Sequence, residues 1–262
     1  MRNTSFDKLI EVVATLRSPN GCPWDKEQNY ESMVPQILEE VYELIDAVDK
    51  KDCLKIKDEL GDVLLHVVMF SQIASENNDF TVFDVCQNIK EKLIRRHPHV
   101  FSDTKINEVE DIIKNWENIK QKEKGNEDRK SVLDGVPESF PALLRAYKLG
   151  KKAAQKGFDF ASSEDAFCKV SEEVEELKEE LFKTNKDSLR IEEELGDLLF
   201  AICNLSRKLN INPEIALNKA SEKFYNRFIK LEEEVSNQGK DLDNMNLQEM
   251  DIIWEAVKKL KN

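Results

Sequence analysis

The sequence predicts an all-α protein of two tandem repeated helical domains, whose four-helix-bundle cores are completed by dimerisation. Three observations predict it. An acidic pair, Glu39-Glu40-Val41-Tyr42-Glu43 followed by Glu59-Leu60-Gly61-Asp62, returns as Glu172-Glu173-Val174-Glu175-Glu176 followed by Glu194-Leu195-Gly196-Asp197. Apolar residues around the first motif, Ile37, Val41, Leu44, Ile45 and Val48, recur at helical spacing. Only 8 Gly and 7 Pro occur in 262 residues, too few breakers for an all-β chain. The length suits two modest domains. The charged stretch Gln121–Arg129 and the turn-rich Ser131–Pro137 mark the junction. The expected division is a domain at 1–123, a linker at 124–140 and a domain at 141–262.

The elements follow in order. Residues 1–17 read as an amphipathic helix stopped by Ser18-Pro19-Asn20-Gly21, and they lack the apolar run of a signal peptide. Cys22-Pro23-Trp24-Asp25 reads as a loop, with Trp24 either plugging the core or walling a pocket. Ser32 is the expected N-cap of a helix reaching about Lys50, with Pro35 in its first turn. Asp52 caps the next helix, which carries Glu59, Asp62 and His66 to about Ala74. Glu76–Asp79 is a polar turn before a helix at 81–96 that ends on Lys92, Arg95 and Arg96. A helix at 107–123 holds Trp116 and Lys120. A basic helix at 141–156, with Arg145, Lys148, Lys151, Lys152 and Lys156, reads as a solvated face or a substrate-facing stripe.

The acidic pairs carry the chemistry. Residues three or four apart share a helix face, so Glu40 and Glu43 project together, as do Glu59 and Asp62. If the two helices pack antiparallel, four carboxylates converge. A single EExxE is ordinary on a solvated helix. Here Glu59 follows Glu43 by 16 positions and Glu194 follows Glu176 by 18, and each ExxD runs into an apolar segment that predicts a largely buried helix. Gly61 and Gly196 interrupt helical patterns, which predicts close approach of a metal, a phosphate or a facing helix. Crowded carboxylates without nearby His or Cys suit Mg²⁺, or Mn²⁺, rather than zinc.

The repeat extends further. Glu91-Lys92 with Arg96 matches Glu222-Lys223 with Arg227, and Trp116 with Lys120 matches Trp254 with Lys258. Gly157-Phe158-Asp159 stands where Pro23-Trp24-Asp25 stood. Each half thus reads as three to five helices offering acids for a metal, bases for phosphates and a Trp for a base to stack on. A net charge of −13 argues against nucleic-acid binding, and no segment is long enough to span a membrane. The five scattered cysteines read as reduced core thiols of a cytoplasmic protein.

Over essentially its whole length the sequence resembles the MazG nucleoside triphosphate pyrophosphohydrolases. EExxE…ExxD, present twice, carries the resemblance, supported by GCPWDKEQ (21–28), LIRRHPHVF (93–101), KGFDF (156–160) and EKFYNRF (222–228). The resemblance implies Mg²⁺-dependent hydrolysis of nucleoside triphosphates, ribo or deoxy, to the monophosphate and pyrophosphate. It implies broad base tolerance, a homodimer and a role in nucleotide clean-up or stress. It assigns metal binding to Glu40, Glu43, Glu59 and Asp62, and to Glu173, Glu176, Glu194 and Asp197. Lys223, Arg227 and Lys258 would neutralise the triphosphate, with Trp254 near the nucleoside. Lys92, Arg95, Arg96, Trp116 and Lys120 are the first-half counterparts. Glu172 or Glu173 are candidates to deprotonate the attacking water. Phe160 replaces the Trp expected in that segment. Asn204, two turns past Asp197, can read a base or sugar, whereas its counterpart Met69 can only pack. The second half is therefore expected to hold the working site; the first stays open as active, regulatory or dimerising. The competing function is a nucleotide-sensing helical module that binds metal with little turnover.

Overall fold

A computed structural model describes residues 4–102, 108–121, 123 and 130–259. Residues 1–3 of the expected first helix, 107 and 122 of the helix expected at 107–123, and 124–129 of the expected linker lie outside the described residues. The chain forms two compact units, Met1–Asn126 and Glu127–Asn262. Among the described residues there is no strand, and no helix is long and apolar enough to cross a membrane.

The first unit contains α1 (Ser5–Arg17), α2 (Pro23–Glu27), α3 (Tyr30–Asp49), α4 (Cys53–Glu76), α5 (Val82–Arg96), α6 (Pro98–Phe101) and α7 (Val109–Gln121). Local chemistry sets their ends. Thr4 and Asp7 form a capping box on α1, as Thr81 and Asp84 do on α5. The Asp52 side chain accepts from the amides of Leu54 and Lys55, as expected of that cap. Three expectations need correction. Asn29, not Ser32, caps α3: its Oδ1 accepts from the Ser32 amide at 2.9 Å, and Ser32 Oγ accepts from the Asn29 amide at 3.0 Å. Ser32 is thus the third helical residue, and Pro35 sits in the second turn. Residues 23–27 are a short helix rather than a loop, because proline is preorganised for a first helical position; Pro98 opens α6 in the same way. With these two short elements the unit has more helices than the three to five expected.

The core of this unit joins Val13, Met33, Val68, Met69, Ile73 and Val82, so α1, α3, α4 and α5 each contribute. Burying such side chains stabilises by about 1.5–3 kcal/mol each. Arg17 ties the corner together. Its guanidinium meets Glu76 through Nε at 2.9 Å and Nη2 at 2.7 Å, and donates to the Gln28 carbonyl at 3.1 Å. Trp24 is not a core plug: it is 56% exposed, because α2 rests on α1 without being covered.

The second unit contains α8 (Ala142–Ala154), α9 (Ser163–Phe182), α10 (Ser188–Lys208), α11 (Pro213–Asn237), a 3₁₀ turn (Leu242–Asn244) and α12 (Leu247–Lys259). Ser162 and Asp165 box the start of α9. The hairpin α9–α10 corresponds to α3–α4, and α8 packs on α10. Leu231, Val235, Ile253 and Val257 form a separate core between α11 and α12. Val136, ahead of α8, is buried. The exposed Arg145, Lys148 and Lys151 give α8 a solvated basic face, and Lys156 follows its end.

The helices of the acidic motifs are less buried than the sequence suggests. Leu60, Leu64 and Val67 on α4, and Leu195, Leu199 and Phe200 on α10, remain exposed. A two-helix hairpin covers one side of each helix and leaves the other bare. A Cβ built on Gly61 or Gly196 meets nothing within 4 Å, so neither glycine answers a close approach within its chain. All five cysteines are free, but only Cys203 is buried; the others are not core thiols.

Candidate active site

In the second unit α9 carries Glu173 and Glu176 and α10 carries Glu194 and Asp197. The structure brings three of the four together: one carboxylate oxygen from each of Glu173, Glu194 and Asp197 lies within 4.8 Å of the others. Glu173 and Glu194 are buried and Asp197 is exposed. Glu176 stands beside the three. Desolvation first, then the charges of Glu173 and Glu194, raise its pKa against the opposing pull of Lys169.

Sequence reasoning missed two cations here. Lys169 Nζ lies 2.6 Å from Glu172 and 2.7 Å from Glu173. Arg190 lies 2.5 Å from Glu193 and 3.2 Å from Glu194. Hydrogen bonds that Lys169 donates to Glu172 and Glu173 raise its pKa. The signal was present: Lys169 precedes Glu173, and Arg190 precedes Glu194, by one helical repeat of four. One acceptor remains unmatched. Glu173 Oε2 is buried without a hydrogen-bond partner, a costly state for a carboxylate oxygen. A hard divalent cation would satisfy it, and an oxygen-only donor set fits Mg²⁺ or Mn²⁺.

Beside the acids opens a cleft of about 790 Å³, within the range of small-molecule sites. Lys169, Glu173 and Asp197 give it a charged part, and Phe158, Phe160 and Phe200 an aromatic part. Asn204 and Arg207 also line it. Gly150 explains how Asn204 fits: a Cβ at position 150 would stand 2.4 Å from Asn204 Oδ1. Arg207 forms a two-pronged ion pair with Asp159, which is held below the usual carboxylate range mainly by that hydrogen bonding. Lys208 donates to the Phe160 carbonyl at 2.9 Å. The aromatic segment 157–160 is thereby fixed to α10.

The first unit repeats the arrangement with differences. Glu40 and Glu43 on α3 and Glu59 on α4 bring carboxylate oxygens within 4.8 Å of one another, and Asp62 stands outside this set. Where the second copy has Lys169, four residues before its first glutamate, the first has Gln36. The pKa values of Glu40 and Glu59 rise, chiefly through desolvation and then through the neighbouring acids. A cleft of about 480 Å³ lies beside Glu43, Glu59, Tyr42 and Lys55. His66, one turn past Asp62, is buried with Nε2 3.9 Å from Glu40 Oε1.

Of the expected phosphate and base ligands, Asn204 lines the second-unit cleft, and the basic–tryptophan sets do not join either cleft within one chain. Arg95 and Arg96 both bind Glu123, whose pKa falls to about 2, principally through the Arg96 hydrogen bonds. The Arg96 guanidinium lies 5.2 Å from the Trp116 ring centre. Lys92, Arg95, Arg96, Trp116 and Lys120 are absent from the lining beside Glu43. In the second unit, Trp254 packs on Phe224 at 5.4 Å and against the α11–α12 core, and Lys258 pairs with Glu255 at 2.5 Å. Lys223, Arg227, Trp254 and Lys258 are absent from the lining beside Glu173.

The MazG nucleotide pyrophosphohydrolase domain matches the chain twice, over residues 28–101 and 161–236, and both matches span an acidic hairpin. The chain belongs to the MazG family. The nucleoside triphosphate pyrophosphohydrolase of Escherichia coli K12 is 42% identical over 97% of both chains. The MazG protein of Thermotoga maritima, named a nucleoside triphosphate pyrophosphohydrolase/pyrophosphatase, is 46% identical over 97% of this chain and 95% of its own. Bacillus subtilis YabN is 43% identical over 97% of this chain and 52% of its own length. The tandem MazG organisation thus covers both units.

The raised carboxyls predict a pH effect on the cation-free protein. An acid with a raised folded pKa binds more protons in the folded than in the unfolded state, so stability falls as pH rises through its titration. Thermal stability in EDTA should therefore increase as pH is lowered from neutrality toward the ordinary glutamate range, through Glu40, Glu59 and Glu176. Acids with lowered pKa values, Glu76 and Glu123 among them, oppose this at lower pH, where the unfolded chain also protonates, and His66, whose burial lowers its pKa, opposes it below the ordinary histidine range. Saturating Mg²⁺ should flatten the rise. Calorimetry of the His66→Gln variant from pH 7 to 5 measures it with the opposing imidazole removed; a steady loss of stability over that range in EDTA refutes the crowding of these acids.

Proposed function

We propose that this MazG chain hydrolyses nucleoside triphosphates, ribo or deoxy, to the monophosphate and pyrophosphate, with broad base tolerance and dependence on Mg²⁺ or Mn²⁺. The supporting observation is the cluster of Glu173, Glu194 and Asp197, with one buried acceptor unmatched, at the border of a nucleotide-sized cleft. The relatives named nucleoside triphosphate pyrophosphohydrolases support the reaction.

Glu173, Glu176, Glu194 and Asp197 would hold the cation, which supplies Lewis acidity toward the triphosphate oxygens. Lys169 pairs with Glu173 and lines the cleft, where it would meet phosphate charge. Glu172 or Glu173 would accept the proton of the water that attacks the α-phosphorus. The aromatic part of the cleft takes a base by stacking, which tolerates different bases. Lys223, Arg227, Trp254 and Lys258 would bind substrate from a second copy, since they stand off the cleft in their own chain. The bare apolar faces of α4 and α10 favour such an isologous homodimer, in which two hairpins complete a four-helix core. Gln36 and Met69 in place of Lys169 and Asn204 favour a regulatory or dimerising first unit.

The decisive assay incubates the purified chain with each triphosphate and Mg²⁺ and identifies the products. Monophosphate and pyrophosphate should appear together, EDTA should abolish them, and Mg²⁺ or Mn²⁺ should restore them. Diphosphate with orthophosphate, or restoration by zinc alone, would overturn the assignment.

A further inference from the structure

One guanidinium stands behind both the amide and the aromatic segment of the second-unit cleft. Arg207 donates Nη1–H and Nη2–H to the two carboxylate oxygens of Asp159, and Nε–H to Asn204 Oδ1 in a long hydrogen bond of 3.4 Å. Its side chain is only 10% exposed. Asp159 lies between Phe158 and Phe160, which line the cleft together with Asn204. Gly150 leaves the room in which amide and guanidinium meet: a Cβ there would stand 2.4 Å from Asn204 Oδ1 and 3.4 Å from Arg207 Nε. Arginine has no acceptor, so an amide facing it turns its oxygen toward it and its NH₂ group away. The Phe200 carbonyl takes one of these N–H groups at 3.4 Å, which leaves the other for a ligand. Anchoring the segment does not rest on Arg207 alone, because Lys208 reaches Asp159 at 3.4 Å and the Phe160 carbonyl at 2.9 Å. The first unit has exchanged both partners. Gln72 and Met69 stand where Arg207 and Asn204 stand, and Gln72 turns to Glu76 at 3.0 Å.

We infer that Arg207 is a positioning residue for the nucleoside: it holds Asn204 with an amide N–H toward a hydrogen-bond acceptor on the base or the sugar, and ties the aromatic segment to the same point. Lysine cannot replace it, because an ammonium lacks the planar fork that spans a carboxylate and an amide at once. The inference rests on reading the second-unit cleft as the nucleotide site.

Calorimetric binding of a nucleoside monophosphate and of pyrophosphate to the full-length chain with Mg²⁺, beside steady-state hydrolysis, tests it. Arg207→Lys keeps the charge against Asp159. It should weaken monophosphate binding and raise KM roughly tenfold, the worth of about one hydrogen bond, with pyrophosphate binding and kcat changed less than about twofold. Asn204→Ala should give the same loss, and the double variant no more than either alone. A 2′,3′-dideoxynucleotide separates the two acceptors. Binding still weakened by Arg207→Lys supports an acceptor on the base, and binding already weak and insensitive to the change supports one on the sugar. Additive losses in the double variant, or an equal loss of pyrophosphate binding, would overturn the inference, since Arg207 would then hold only the loop or meet phosphate itself. A wild-type chain that binds monophosphate through this pair but releases no pyrophosphate from triphosphates would sink the proposed reaction and leave the positioning role standing.

Discussion

Glu173→Gln should lower triphosphate hydrolysis about a thousandfold, equivalent to about 4 kcal/mol of transition-state stabilisation. The change keeps side-chain size and helix propensity, so the hairpin should still form. It removes the charge of a buried carboxylate that faces Asp197 and Glu194 and has one oxygen unmatched. Glu43→Gln should leave a substantial fraction of activity. Its unit keeps an acidic cluster but lacks counterparts of Lys169 and Asn204, and its cleft is smaller. Steady-state pyrophosphate release by both variants, with circular dichroism to confirm folding, makes the comparison. A dead Glu43→Gln beside an active Glu173→Gln would invert the assignment of the working unit. Full activity in both would return the acids to an ordinary solvated role.

Gly21→Ala should destabilise the first unit by about 3–5 kcal/mol, in the severe tail of single substitutions. A Cβ at position 21 would stand 2.1 Å from the Leu16 carbonyl oxygen and 2.4 Å from that of Thr15. These are backbone atoms, and they are already engaged. The Leu16 oxygen accepts from the Cys22 amide at 2.8 Å, and the Gly21 amide donates to Ser18 at 2.8 Å. The turn cannot yield without breaking the α1–α2 corner that Arg17 holds. Gly61→Ala and Gly196→Ala are the built-in controls, because their new Cβ atoms meet nothing within 4 Å. They should be neutral or stabilising by up to about 1 kcal/mol. Urea unfolding of the three variants measures the contrast. A loss below 1 kcal/mol for Gly21→Ala would show that the turn adapts.

The all-helical, tandem organisation was legible because it rests on local chemistry that repeats. The acidic motifs share helix faces by spacing alone, and Asp52 before an apolar helix is a cap wherever it folds. The convergence of Glu173, Glu194 and Asp197 needed only a hairpin. What stayed hidden depends on which groups lie across from each other. Lys169 reads as one more surface charge until Glu173 is seen to be buried. Asn29 and Ser32 are equally good caps on paper, and their reciprocal bonding decides between them. Trp24 fits a core plug or a pocket wall on sequence, and its 56% exposure, with α1 the main partner of α2 among the described residues, excludes the core. The basic–tryptophan sets matched well along the chain, but matching order carries no information on distance. Arg95 and Arg96 instead find Glu123, which no motif marked.

Gly150 and Asn204 occupy one volume between two helices, and that has an evolutionary consequence. An alanine at position 150 displaces the amide, which must swing aside or give way to a smaller residue at 204. The two sites should drift as a linked pair across descendants of this chain, with alanine at 150 accompanied by a smaller residue at 204. Such a double change would erase the amide from the cleft in a single lineage step. A shift in which bases are hydrolysed would then be inherited through a glycine that lines the cleft without a side chain of its own.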